Sequence, residues 1–112
     1  MTIEEFKKKL AISPTDISFS ETMEVIESNF RFTPTAFTNG NLKNEAGQNS
    51  GSCKLFAFAK HEGLSKEETL ACFGAYYFDE VLKDPNGEGH QNIRNFMQIG
   101  FEGLTFEGVA LK

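Results

Sequence analysis

The side chains in this 112-residue sequence best suited to nucleophilic, acid–base or metal chemistry are two cysteines, Cys53 and Cys72, and two histidines, His61 and His90. Cys53 follows an amide- and glycine-rich stretch and stands near a predicted helix start, where the helix dipole lowers a thiol's pKa and makes it a better nucleophile. His61 follows on the same predicted helix, about 12 Å along its axis, and no spacing brings His61 or His90 to the thiol. Both cysteines also sit inside apolar helical patterns, where a free thiol behaves as a small hydrophobe. The buried, structural reading of Cys53 is therefore preferred, with a nucleophile as its alternative. The sequence contains no CxxC, no HxxxH and no comparable cluster, so no metal is expected.

A second set of residues points to binding. His90 opens a predicted helix and Arg94 lies one turn on, so the two could hold a carboxylate or phosphate, or Arg94 could pair with one of the chain's own 16 acidic residues. The stretch from Asn39 to Gly51 carries Asn39, Asn44 and Asn49, and Ser52 follows it. Its backbone N–H groups lead into a helix and could cradle an anion, although the GxxxxGK[ST] and GxGxxG spacings are absent, and Asn and Gly also build ordinary surface loops. The candidate binding residues are thus Asn39, Asn44, Asn49, Ser52, His90, Asn92 and Arg94. No cofactor is implied.

The elements that must position these residues are mostly helical. Thr2 with Glu5, Ser18 with Glu21 and Ser65 with Glu68 each form a capping box ahead of an apolar periodicity of 3.6. They predict a short first helix ending before Pro14, a second over about 18–29, and another over 66–83. Ser50 or Ser52 caps a mostly buried helix over 53–62, and Gly63 ends it, so the helices on either side of Gly63 form an antiparallel hairpin. Gly74 lies inside the second arm and is expected to allow close approach to Ala57 and Ala59. Asp84–Gly87 reads as a turn and 90–99 as a last helix. Alternation over 30–37 predicts a strand, interrupted by Pro34 and ended by Asn39–Gly40, which pairs with a second strand at 104–107. The expected fold is α+β and mainly helical: about five helices around a central hairpin, a small antiparallel two-stranded sheet, and a single domain over 1–112.

Composition narrows the function classes. The chain carries 12 Phe and 2 Tyr but no Trp, so flat aromatic side chains supply much of the core. A net charge of −5 argues against binding nucleic acid, which needs clustered cations. The basic run Lys7–Lys9 sits at the end of a predicted helix, where it complements the dipole. No window approaches the roughly 20 apolar residues of a membrane span, so the expected protein is soluble. Two unpaired cysteines fit a reduced, cytosolic compartment.

Several longer stretches are recognisable together. FTNG at Phe37–Gly40, AGQNSGSCKLFAFA at Ala46–Ala59, ETLACFGAYY at Glu68–Tyr77, HQNIRNFM at His90–Met97 and the closing GLTFEGVAL resemble the HopJ type III effector family over nearly the whole chain. That resemblance implies proteins injected into plant cells by a type III secretion system. It implies no established activity, substrate, cofactor or site residue. Secreted effectors carry an unfolded, acid-poor leader, whereas here Glu4 and Glu5 belong to a capping box and periodicity begins at Ile3. The expectation is a resident cytoplasmic protein, with type III secretion as the alternative. Its function is expected to be non-catalytic binding of a small polar or anionic ligand or of a protein partner. The alternatives are a small enzyme using Cys53 or His90, in which Asn39, Asn49 and Asn92 orient a polar substrate, and an effector that binds a host protein. Oligomeric state is left open.

Overall fold

Three helices begin where capping chemistry requires. Thr2, Ser18 and Ser65 each accept a hydrogen bond from the backbone N–H three residues on, and Glu5, Glu21 and Glu68 reach back to the capping residue. These pairs satisfy N–H groups that a helix start otherwise leaves without partners. They open α1 (Ile3–Ile12), α2 (Phe19–Asn29) and α4 (Lys66–Ala71) in a computed structural model that describes all 112 residues. Lys9 of the basic run pairs with Glu21 at 2.6 Å, tying α1 to α2. No helix is long and apolar enough to cross a membrane.

The core is built around α3 (Ser50–Glu62), which buries Cys53, Leu55, Phe56, Phe58 and Ala59. Phe56 is fully buried and touches Phe37, Phe73 and Phe96 at ring-centroid distances of 6.2, 5.5 and 5.0 Å. Contacts of this kind contribute about 0.5–1.5 kcal/mol each beyond area burial. One ring thus links the sheet, the segment after α4, and α5 (Gln91–Ile99). The buried apolar residues form one cluster of 22.

The sheet differs from expectation. It has three antiparallel strands in the order β2-β1-β3, with β1 at Phe37–Asn39, β2 at Leu42–Asn44 and β3 at Leu104–Phe106. The alternation at 30–37 contributes only an isolated bridge, Phe32 to Leu111, flanked by backbone bonds between Arg31 and Lys112. The strand proper begins three residues after Pro34, which cannot donate to a ladder. Gly40 (φ 64) turns β1 back into β2, so half of the presumed loop is a hairpin arm, and β3 pairs with β1 at Thr38↔Thr105.

The helical hairpin is also broken in its second arm. After Gly63 closes α3 and Ser65 opens α4, the helix stops at Ala71, and a separate π-helical segment runs over Tyr76–Val81. Between them Gly74 takes φ 61, and a Cβ there would lie 2.8 Å from Phe19 N and 3.0 Å from Ile17 O. Close approach does explain the glycine, but against the backbone joining α1 to α2 rather than against Ala57 and Ala59. Thr22 donates its hydroxyl to the Cys72 carbonyl at 2.8 Å, supplying a partner where the helix ends. Gly74→Ala combines a left-handed φ with a backbone clash, each costing on the order of 1–3 kcal/mol. It is expected to lower stability by about 2 kcal/mol or more in urea unfolding. Gly47→Ala, at φ 90 with open space around it, should cost about 1 kcal/mol; equal losses would contradict the packing role of Gly74.

Candidate functional site

Two helices start without side-chain caps, and they start at the same place. Asn49 precedes α3 with φ 50 and His90 precedes α5 with φ 56, and they are the two non-glycine residues with positive φ. A left-handed φ turns each side chain away from the capping position, so the first N–H groups of both helices stay free of side-chain acceptors. In α3 the first intrahelical bond is Cys53 N–H to Asn49 O, and in α5 it is Arg94 N–H to His90 O.

A hollow of about 540 Å3 lies between these two starts. Its polar lining is Asn49, Ser52, His90, Gln91 and Asn92, and its apolar wall is led by Phe19, Phe73 and Tyr76. Phe19 stacks on Phe73 (6.2 Å, 11°) and meets Tyr76 edge-on (5.3 Å, 72°), and Tyr76 lies 5.4 Å from the His90 ring. Gly51 completes the floor, and a Cβ there would fall 2.8 Å from the tip of the Phe19 ring. The chain turns at Gly74, between Phe73 and Tyr76, and both side chains line the hollow.

Behind the hollow the asparagines form a buried network. Asn44 Oδ1 accepts from Asn49 Nδ2 (2.7 Å) and from Asn92 Nδ2 (3.0 Å), while Asn92 Oδ1 accepts from Asn39 Nδ2 (3.0 Å) and Asn44 Nδ2 (3.3 Å). Asn39 Nδ2 also donates to Asn92 O, and Asn95 Nδ2 to Asn39 O. Asn39, Asn44 and Asn92 are buried, at 0, 1 and 6% exposure.

The family described as HopJ type III effector protein matches residues 3–111. The chain belongs to the HopJ family. Among solved structures, its fold is similar to the crystal structure of a protein of unknown function, VPA0580, with 54% identity, a TM-score of 0.98, and coverage of 100% of this chain and 93% of that one. No curated protein matches it.

In this HopJ chain, Asn49, Ser52, His90 and Asn92 line the hollow, and Asn39 and Asn44 stand behind it. Arg94 is elsewhere: its Nη1 donates to Asp84 O at 2.8 Å and its Nε to Gly89 O, so it holds the turn before α5 rather than facing an anion or pairing with a carboxylate. Cys53 is 1% exposed and directed at Thr35 O (3.5 Å), and burial pushes its thiol pKa up, opposite to what a helix-start nucleophile needs. Burial drives Cys72 further, to about 12. Neither cysteine lines the hollow. His90 bonds Glu80 (2.9 Å), and His61 bonds Glu62 (2.9 Å) on another part of the surface. Sequence reasoning missed Phe19, Leu42, Phe73, Tyr76, Gln91 and Ile93. Phe73 and Tyr76 stand at i, i+3 spacing like any neighbouring helical pair, and nothing local in the sequence shows that they face a hollow beside Phe19 and His90.

Proposed function

We propose that this HopJ chain is a small, non-catalytic binding protein that takes a polar small molecule into the hollow between the starts of α3 and α5. The observation that carries this reading is the convergence of two helix starts without side-chain caps on one cavity with an aromatic wall. Concave sites of roughly 300–1,000 Å3 with apolar walls and a few convergent polar groups are the usual form of a ligand pocket. The first-turn N–H groups offer donors already held in position, and preorganisation lowers the entropic cost of binding. A single cluster of 22 buried residues supports the single-domain reading. An enzyme working through Cys53 gains no support, since its thiol lies in the core and away from the hollow. His90 does reach the hollow, but its ring is bonded to a carboxylate and to no hydroxyl or thiol that it could activate.

The family name points toward secretion. We nevertheless place the protein in the cytoplasm, a reading supported by its two free, buried cysteines.

Two experiments test these readings. In a thermal-shift screen of polar metabolite-sized compounds, a ligand at a hundredfold excess over Kd stabilises the fold by about 2.7 kcal/mol; His90→Ala is expected to reduce that shift, and a screen without a stabilising compound would remove the binding reading. Residues 1–25 fused to a reporter are expected to remain in the cell, and type III-dependent export would overturn the cytoplasmic placement.

A further inference from the structure

The chemistry of the hollow narrows its ligand. We propose that it takes a neutral, planar nitrogen heterocycle carrying ring-nitrogen or carbonyl acceptors, the class of the nucleobases and their nucleosides. This rests on the binding reading above and deepens it.

Three observations select the class. The wall is aromatic and partly open: Phe73, Phe19, Tyr76 and His90 follow one another with ring centroids 5.3–6.2 Å apart, and Tyr76 is 42% exposed. Such a wall offers a flat ligand an aromatic face, and stacking of a base on an aromatic side chain is a strong, sequence-tolerant contact. The polar lining is uncharged apart from the imidazole. Asn49, Ser52, Gln91 and Asn92 face the hollow, and no lysine, arginine or carboxylate lines it. Arg94, the one cation near the start of α5, is committed to two backbone carbonyls.

Charge then decides between ligands. An anion would be attracted by the N–H ends of the two helices, but it would meet no lysine or arginine in the hollow to neutralise it and would come close to the Glu80 carboxylate that holds His90. A cation would meet the N–H ends of two helices, which repel positive charge. A neutral molecule avoids both costs, and acceptors on its edge can take hydrogen bonds from first-turn N–H groups. Asn49 and Asn92 commit their Nδ2 donors to Asn44, and Gln91 donates its Nε2 to Glu88 O, so the side chains leave the Asn49 and Gln91 carboxamide oxygens as acceptors for a ring or exocyclic N–H of the ligand. A sugar could use the same polar groups but would leave the aromatic wall without a flat partner.

Amide NMR of the full 15N-labelled chain, titrated separately with adenosine, uridine, glucose and inorganic phosphate, tests the class. The nucleosides are expected to shift the amides of Gly51, Ser52, Gln91 and Asn92 saturably, and Tyr76→Ala, at a partly exposed position, is expected to weaken their binding at least tenfold while the remaining amide spectrum stays folded. Phosphate and glucose are expected to leave those four amides unmoved. Saturable shifts there with glucose or phosphate but not with nucleosides would overturn the ligand class and leave the binding reading standing. Nucleoside shifts elsewhere on the chain, nucleoside binding indifferent to Tyr76→Ala, or no shift with any probe would each overturn the proposal; the separate fate of the binding reading is decided by the thermal-shift screen.

Discussion

A single oxygen, Asn44 Oδ1, accepts hydrogen bonds from both helix starts that face the hollow. Asn49 Nδ2 reaches it from the start of α3, and Asn92 Nδ2 reaches it from the first turn of α5. Because Asn44 is a residue of β2, this oxygen also fixes both helices to the hairpin. Each such bond adds only about 1 kcal/mol net, but removing one partner leaves buried amides unpaired at a cost of about 1–3 kcal/mol each. The network therefore stabilises little and specifies much. Replacing it by apolar groups could hold the hairpin and helices together, but nothing would then fix the angle between the two starts. The network is not free of cost, since Asn39 Oδ1 is buried without a donor.

The aromatic core performs the matching task on the other side of the hollow. Phe56 holds Phe73 and Phe96 in place, so the wall that begins at Phe73 is anchored to the same helix whose start carries Ser52 and Gly51. Gly74 then lets the chain turn against the α1–α2 junction, and Phe19, the first residue of α2, stacks on Phe73 as a result. The wall and the polar edge thus derive from the same packing, both set by the first half of α3.

What was legible in the sequence was local chemistry. The capping boxes at Thr2, Ser18 and Ser65, the cap at Gly63 and the turn at Asp84–Gly87 each depend on residues three or four apart, and each forms as expected. Departures arise where a distant contact overrides a local pattern. The alternation at 30–37 is genuine, but it forms only an isolated bridge with backbone bonds to Ala110 and Lys112, whereas β1 forms further on because β2 and β3 pair with it there. The helical periodicity over 66–83 continues through the break because apolar spacing carries no record of Gly74's approach to Ile17 and Phe19. Of the site, the asparagines were visible as an amide-rich stretch, and its position next to His90 was not. Asn39 and Asn92 are far apart in sequence, and only the fold brings them within 3.0 Å.

The central claim is that Asn44 couples the two helix starts, and amide NMR of Asn44→Leu against the unaltered chain measures this most directly. The account predicts that the amides of Ser50–Ser52 and of Gln91–Ile93 shift together and exchange faster with solvent, while those around Phe6 and Leu10 in α1 stay as they were. Perturbation confined to β2, or to one helix start alone, would contradict it.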